Sequence, residues 1–324
     1  MLIVQKFGGS SIADGDRLRR AAGICMRQRQ NGNEVVVVVS AMGDTTDLLA
    51  DRARVLGGKP SPREMDALIT TGEQQSAALL VMTMESLGIP AVSLAGWQAG
   101  IYTDCRYGDS DIRLIAPVRI REALSRGRVP VVTGFQGVCA AGDITSLGRG
   151  GSDTTAVALA AALESDCCEI YTDVDGIYTA DPRLIPDAVK LSAIDYRDML
   201  ALAEAGSQVL HAKSVELAMA NSVVIHLLSS FTDVPGSQVR ALRDGSRPDF
   251  AGITRSRASG EISLAGKAAD AAALSRAVLL LAAEGIEVLS GSAGSGRISV
   301  LVEEAERPRA MQLLHREMIL KALK

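Results

Sequence analysis

Six short runs of apolar, mostly β-branched residues alternate along the chain with helical patterns. The runs are Leu2–Val4, Val35–Val39, Ala91–Leu94, Val129–Thr133, Glu169–Thr172 and Val223–Leu227. Helical patterns cover Asp14–Gln30, Glu73–Leu87, Ile112–Arg126, Asp153–Leu163 and Ser214–Asn221. Continuous apolar strands, without alternation, belong to sheets buried on both faces. Their regular exchange with helices predicts an α/β fold with a doubly wound, mostly parallel sheet. In such sheets ligands lie beyond the carboxyl ends of the strands, and there the Gly-rich and polar clusters fall.

A second composition begins after Ser229-Ser230-Phe231. Thr232 to Asp249 carries Pro235-Gly236, Gly245 and Pro248 among charges and reads as a linker. Beyond it the pattern gives a strand (Glu261–Leu264), a helix (Asp270–Glu284), two strands (Ile286–Leu289, Arg297–Val302) and a helix (Arg307–Glu317). That order resembles a small βαββαβ module with a short or missing last strand. The expected division is 1–231, a linker over 232–249, and 250–324.

With 324 residues there is room for two domains and a large core. A net charge of −4 provides no basic footprint for nucleic acid. No apolar run is long enough to span a bilayer, the longest being Ala277–Ala283, and no signal peptide opens the sequence. The five cysteines lack metal-ligand spacing, which predicts a soluble, reduced, cytoplasmic protein without a protein-bound metal.

Lys6-Phe7-Gly8-Gly9-Ser10-Ser11 leaves the first strand and enters a polar segment. Adjacent glycines let backbone N–H groups approach a phosphate at a helix start, and Lys6 adds a mobile cation. It is not a P-loop, since Gly-x-x-x-x-Gly-Lys-Ser/Thr is absent. A second loop, Leu147 to Thr155, precedes the apolar helix Ala156–Leu163. Arg149 offers a fork for a carboxylate or phosphate, and Asp153 can orient a nucleophile or a cation. The plainer alternative, an N-cap at Ser152 or Asp153, explains one residue but not the loop. Ser40 to Thr46 follows the five-valine strand with small hydroxyls, and Thr70-Thr71-Gly72-Glu73 places a carboxylate where a helix begins. Tyr171 to Arg183 sets three aspartates and two tyrosines after a buried strand, suited to a nucleotide or a metal. His211, His226 and Trp97 read as packing residues.

Taken together these segments, with Gly96-Trp97-Gln98-Ala99-Gly100 and Gly134-Phe135-Gln136-Gly137, resemble the aspartokinases within the amino acid kinase family, from Leu2 to about Phe231. The resemblance implies ATP-dependent phosphorylation of the β-carboxylate of L-aspartate, with Mg2+ carried by the nucleotide, in amino-acid biosynthesis leading to lysine and threonine. Carried over by position, Lys6 and Asp153 would be catalytic. Ser40, Thr45, Glu73, Arg149, Gly150, Gly151 and Ser152 would bind the acceptor. Gly8, Gly9, Ser10, Thr172, Asp173, Tyr178 and Arg183 would bind ATP. The tail would be one degenerate ACT-like module, weakly or not responsive to lysine and threonine, pairing two copies into a homodimer through a strand such as Arg297–Val302. Departures are Gln208 where relatives carry Lys, Ala212-Lys213 in place of Pro-Arg, and Leu228 in place of Arg. Two alternatives keep the fold: another acceptor, or a non-catalytic regulatory paralogue.

Overall fold

The computed structural model describes residues 1–323 and divides them into two compact units that are not sequential. The first comprises 1–175 with 220–235, the second 176–219 with 236 onward.

In the first unit the six expected strands form a sheet. β1 (Leu2–Phe7) is central, with β2 (Glu34–Val39) on one side and β9 (Cys167–Thr172) on the other. β6 (Val129–Thr133) and β3 (Ala91–Leu94) extend the β2 side, and Ile225–Ser229 flanks β9. All these pairings are parallel. The valines of β2 are fully or almost fully buried, as expected of a strand covered on both faces. Helix α1 (Gly15–Gln30) is capped by Asp14, which accepts from Arg17 N at 2.9 Å. α4 (Thr71–Ser86) packs against α1 and β3. α6 (Gly151–Leu163) is almost entirely Ala, Leu and Val after its first turn and packs on β1. Its small side chains bring the helix, and the loop before it, close to the strand.

The expected helix Ile112–Arg126 is corrected. Pro117 removes a donor and sets a boundary, so only α5 (Val118–Ser125) is helical. Residues Ile112–Ile115 instead form strand β5, antiparallel to β4 (Ile101–Thr103). β4 also pairs in parallel with β7 (Gln136–Cys139), which forms a hairpin with β8 (Ile144–Ser146). This four-stranded side sheet carries the loop after β4 and the segment that leads into Gly148-Arg149-Gly150. Two helices outside the expected set are α2 (Thr45–Arg54) and α3 (Pro62–Ile69).

Another difference concerns sulfur. Cys105 and Cys139 are bridged, with Cα atoms 5.3 Å apart, while Cys25, Cys167 and Cys168 are free and buried. The 34-residue separation conceals a contact created by the β4–β7 register, in which Thr103 is opposite Cys139.

In the second unit the tail sheet has the order Gly252–Arg255, Ile262–Ala265, Arg297–Val302, Val288–Gly294, all antiparallel. Gly252–Arg255 takes the edge that a βαββαβ module gives its last strand. Helices Ala271–Ala283 and Arg307–Leu314 lie in the same unit. Arg297–Val302 does not offer a free edge for pairing copies, because both its sides are occupied within the chain. The edge opposite Gly252–Arg255 is Val288–Gly294, exposed along most of its length.

Candidate active site

β1, β2, β9 and Ile225–Ser229 run parallel, so their last residues share one end of the sheet. That end collects Lys6, Gly8, Ser40 and Thr172. Gly8 continues from β1 in an extended conformation and donates from its N–H to the Tyr171 carbonyl at 3.2 Å. Gly9 opens a short 3-10 turn, Gly9–Ile12. A Cβ on Gly9 would sit 2.5 Å from the Ala41 carbonyl oxygen, a contact no side chain tolerates. The backbone crossing between the Gly-Gly loop and the loop after β2 therefore needs glycine. Gly43 N donates to Gly9 O at 3.1 Å and holds the two loops together. Ser10 is exposed, and its carbonyl accepts from Arg17 Nη1 at 2.6 Å.

Lys6 Nζ lies 2.6 Å from Asp153 Oδ1, and each side chain is 11% exposed. Asp153 reaches it from the first turn of α6. The N-cap of that helix is neither Ser152 nor Asp153 but Gly150, in the left-handed region at φ 70° with no side-chain cap bond. The capping alternative for Ser152 and Asp153 therefore falls, and both are buried inside the first turn. Gly148 also has φ 70°, so a double left-handed step throws Arg149 outward between Gly148 and Gly150. Arg149 is exposed and has no hydrogen bond or ion pair among the described residues. Gly151 is packed tightly, since a Cβ there would lie 2.9 Å from both Leu147 Cβ and Phe135 Cδ2.

Glu73 lies in the first turn of α4, 3% exposed. Its Oε1 accepts from Ala41 N at 3.0 Å, while Oε2 is buried without a partner. Burial pushes its carboxyl up to about 7, against the opposing pull of the Glu73 and Ala41 backbone N–H groups. Gly72 beside it permits the approach of Ala41, whose Cβ would be 2.8 Å from an added Cβ. Ser40 is half-buried, its N–H donating to Phe7 O at 3.1 Å. Thr45 Oγ1 donates to the Met42 carbonyl at 2.6 Å, which leaves its lone pairs as the available function.

Thr172 ends β9, and its hydroxyl donates to the exposed Asp173 carboxylate at 3.0 Å. In the second unit, Tyr178 lies on the short strand Ile177–Tyr178, paired with Lys190–Leu191. Arg183 there closes on Asp181 through Nε at 2.9 Å and Nη2 at 2.8 Å. Gln208 is exposed and donates from its amide to Gly206 O at 3.0 Å.

Sequence reasoning missed Asp66. This carboxylate, 1% exposed, accepts from Gly108 N at 2.9 Å, Ser146 N at 2.9 Å and Ser146 Oγ at 2.6 Å. It holds the loop after β4 to the segment entering Gly148-Arg149-Gly150. A signal existed: Ser61-Pro62-x-Glu64 is a helix-start pattern, and Ser61 Oγ does accept from Glu64 N at 3.3 Å. Elsewhere, Glu169, Cys167 and His226 bring ligand-type atoms within 4.8 Å of one another. Glu169 there is already engaged by Gln5 at 2.7 Å, Tyr171 at 3.0 Å and Gln28 at 3.3 Å.

A parallel sheet with a Lys–Asp pair and two glycine loops at its carboxyl edge defines a class, and residues 1–229 match the Amino acid kinase family. The chain is 49% identical to the aspartokinase of Mycolicibacterium smegmatis over 269 residues, 82% of this chain and 64% of that protein. It is 44% identical to the aspartokinase of Corynebacterium efficiens over 325 residues, 97% of this chain and 77% of that one. The chain belongs to the amino acid kinase family and, within it, to the aspartokinases. It spans 64% of the length of the Mycolicibacterium relative. Among solved structures, aspartate kinase from Synechocystis is 32% identical with a TM-score of 0.68, over 98% of this chain and 69% of that one. E. coli aspartokinase III, solved with aspartate and ADP, shares the fold with a TM-score of 0.84 at 21% identity, covering 98% and 100% of the two chains.

Proposed function

We propose that the chain phosphorylates the β-carboxylate of L-aspartate with ATP, giving 4-phospho-L-aspartate and ADP. The observation that carries this reading is the buried Glu73 carboxylate with one oxygen unpartnered, at the loop that touches the Gly-Gly turn. A half-satisfied buried acid is completed by a cation, and an α-ammonium group supplies one. Thr45, with its hydroxyl proton already given to Met42, adds an acceptor for the same group. Arg149 is free to take the α-carboxylate as a two-point fork, and Ser40 lines the same edge. The attacking atom is already an anionic oxygen, so the chemistry needs alignment and charge neutralisation rather than a strong base. Lys6 would neutralise the moving phosphoryl group, and Asp153, 2.6 Å from its ammonium, supports that reading by fixing it.

Gly8, Gly9 and Ser10 fit phosphates because the missing Cβ at Gly9 lets the backbone of the turn come close at a helix start, while the Gly8 N–H, bonded to Tyr171 O, holds the turn to β9. Thr172, Asp173, Tyr178 and Arg183 are proposed for the nucleotide, with Mg2+ arriving on ATP. The antiparallel tail fits an ACT-like module. If two copies pair through it, Val288–Gly294 is the strand that is free to do so. A cytoplasmic location fits an ATP-consuming enzyme of amino-acid synthesis, and no helix among the described residues is long and apolar enough to cross a membrane.

The test is ADP release over a panel of acceptors with hydroxylamine trapping of the acyl phosphate. Aspartate should yield both signals. Turnover with glutamate or carbamate, and none with aspartate, overturns the acceptor assignment.

A further inference from the structure

We propose that Cys105 and Cys139 form a reversible thiol–disulfide clasp that sets acceptor affinity by fixing the loop on which the Arg149 turn rests. The proposal builds on the reading of Arg149 as the acceptor's carboxylate anchor. Cys139 closes β7 and is buried, whereas Cys105 lies just beyond β4 and is exposed. Thr103 faces Cys139 across the β4–β7 ladder, and the 5.3 Å between Cα atoms lies within the usual span for a disulfide of about 4.4–6.8 Å. Disulfides are uncommon in the cytoplasm, and those found there in ordinary mesophiles mostly serve redox sensing or catalysis. An exposed sulfur at one end gives thiols and disulfides access.

What the clasp holds bears directly on the site. The loop it anchors, 104–111, touches the Arg149 segment at three places. Ser110 N donates to Ser146 O at 2.9 Å. Asp66 bridges Gly108 N and Ser146 N, each at 2.9 Å. Asp109 packs against Gly148 so closely that a Cβ there would be 2.5 Å from its Oδ1. Arg149 has no internal hydrogen bond or ion pair among the described residues, so its direction follows from the backbone of Gly148 and Gly150 alone. Opening the bridge leaves this end of the loop held only within the loop and to β5, by Asp104 N on Asp111 O at 3.1 Å and by the Asp104 carboxylate on Asp111 N at 3.2 Å and Arg113 at 2.7 Å. It so loosens the loop against β7 without touching the Lys6–Asp153 pair, which sits on other elements.

Closure balances as thiol–disulfide exchange with a small-molecule disulfide such as glutathione disulfide. The Cys105 thiolate attacks it, expelling one glutathione thiolate and leaving a mixed disulfide. The Cys139 thiolate then displaces the second glutathione. The two electrons end on glutathione, and the two cysteine protons pass through solvent to the departing thiolates. A dithiol reductant runs the sequence backwards.

The experiment compares protein equilibrated with glutathione disulfide and with dithiothreitol. Thiol alkylation after denaturation should count three free cysteines in the first state and five in the second. Reduction should raise KM for aspartate about 5-fold or more with kcat nearly unchanged, in the range of ordinary site-to-site coupling. Amide hydrogen exchange over 104–111 and 146–150 should quicken. Cys105→Ser should show the raised KM of the dithiol form in either buffer. Five alkylated thiols after oxidation, or an unchanged KM and exchange pattern after proven cleavage, overturns the clasp. If aspartate is not turned over at all, the proposed reaction fails, while thiol count and exchange still decide the clasp.

Discussion

At the scale of single residues, the site rests on two carboxylates in opposite situations. Asp153 has its cation within the chain, Lys6 at 2.6 Å, whereas Glu73 has none. Asp153→Asn and Lys6→Ala should each lower kcat by ~100-fold or more, because each removes charge organised around the phosphoryl group. Circular dichroism of both variants should match the parent, and near-parent turnover in either would move the chemistry elsewhere. Glu73 makes a pH prediction. Its folded value, about 7, is raised above that of an unfolded chain. The native state therefore favours the protonated acid. This contribution to stability is complete below the unfolded value and is lost as pH rises through about 7. An ammonium needs the ionised form, so kcat/KM for aspartate should rise through the same range while ligand-free stability falls. Glu73→Gln should flatten the stability slope between pH 5 and 8 in thermal melts and sharply raise KM for aspartate. A parental slope in that variant would assign the titration to another group.

Among elements, the glycines separate into those that permit a crossing and those that do not matter. Gly9→Ala drives a methyl against the Ala41 carbonyl, a backbone atom that cannot step aside, and should cost about 1–3 kcal/mol. Gly23→Ala, within α1 and with nothing inside 4 Å of its added Cβ, should instead stabilise by about 0.5–1 kcal/mol. Urea melts of the two should shift in opposite directions, and equal shifts would show that the crossing is not tight. The six parallel strands were legible because burial on both faces writes a continuous apolar run, as in Val35–Val39. Ile112–Ile115 was not, because a half-exposed edge strand next to Pro117 shares its residue types with the helix that follows. Gly252–Arg255 is only four residues and starts on glycine, so it left no periodicity to read. Arg297–Val302 was legible as a strand but not as a central one, since neighbours on a sheet are set by tertiary pairing. Lys6, Glu73 and Arg149 stood out by chemistry beside glycine, whereas Asp66 acts only through backbone donors that lie far away in sequence.

Over the whole molecule, the proposed reaction raises whether lysine or threonine can act back on the rate. Such an effector changes activity only by binding one conformational state better than another, and that needs a formed site. By resemblance to the aspartokinases, such a site would lie between paired tail modules and use the loop after the first strand of the module. Here the corresponding loop follows Ile262–Ala265, and four of its backbone donors are already taken. Gly266 N donates to Gly296 O at 3.0 Å, Ala268 N to Asp249 O at 3.1 Å, Ala269 N to Gly266 O at 3.4 Å and Asp270 N to Ala268 O at 2.9 Å. Gly266 packs so closely that an added Cβ would lie 2.1 Å from Asp249 O. The loop's one cation, Lys267, sits 3.5 Å from Asp249, and the flanking side chains are alanines. Opening this turn for a carboxylate would break several hydrogen bonds worth about 0.5–1.5 kcal/mol each before any contact is gained. Lysine and threonine, titrated separately and together to millimolar levels at subsaturating aspartate, should therefore leave the initial rate within experimental error. A saturable fall with either one, relieved by raising aspartate or not, would show that the turn opens and that the tail senses amino acids through this loop or another surface.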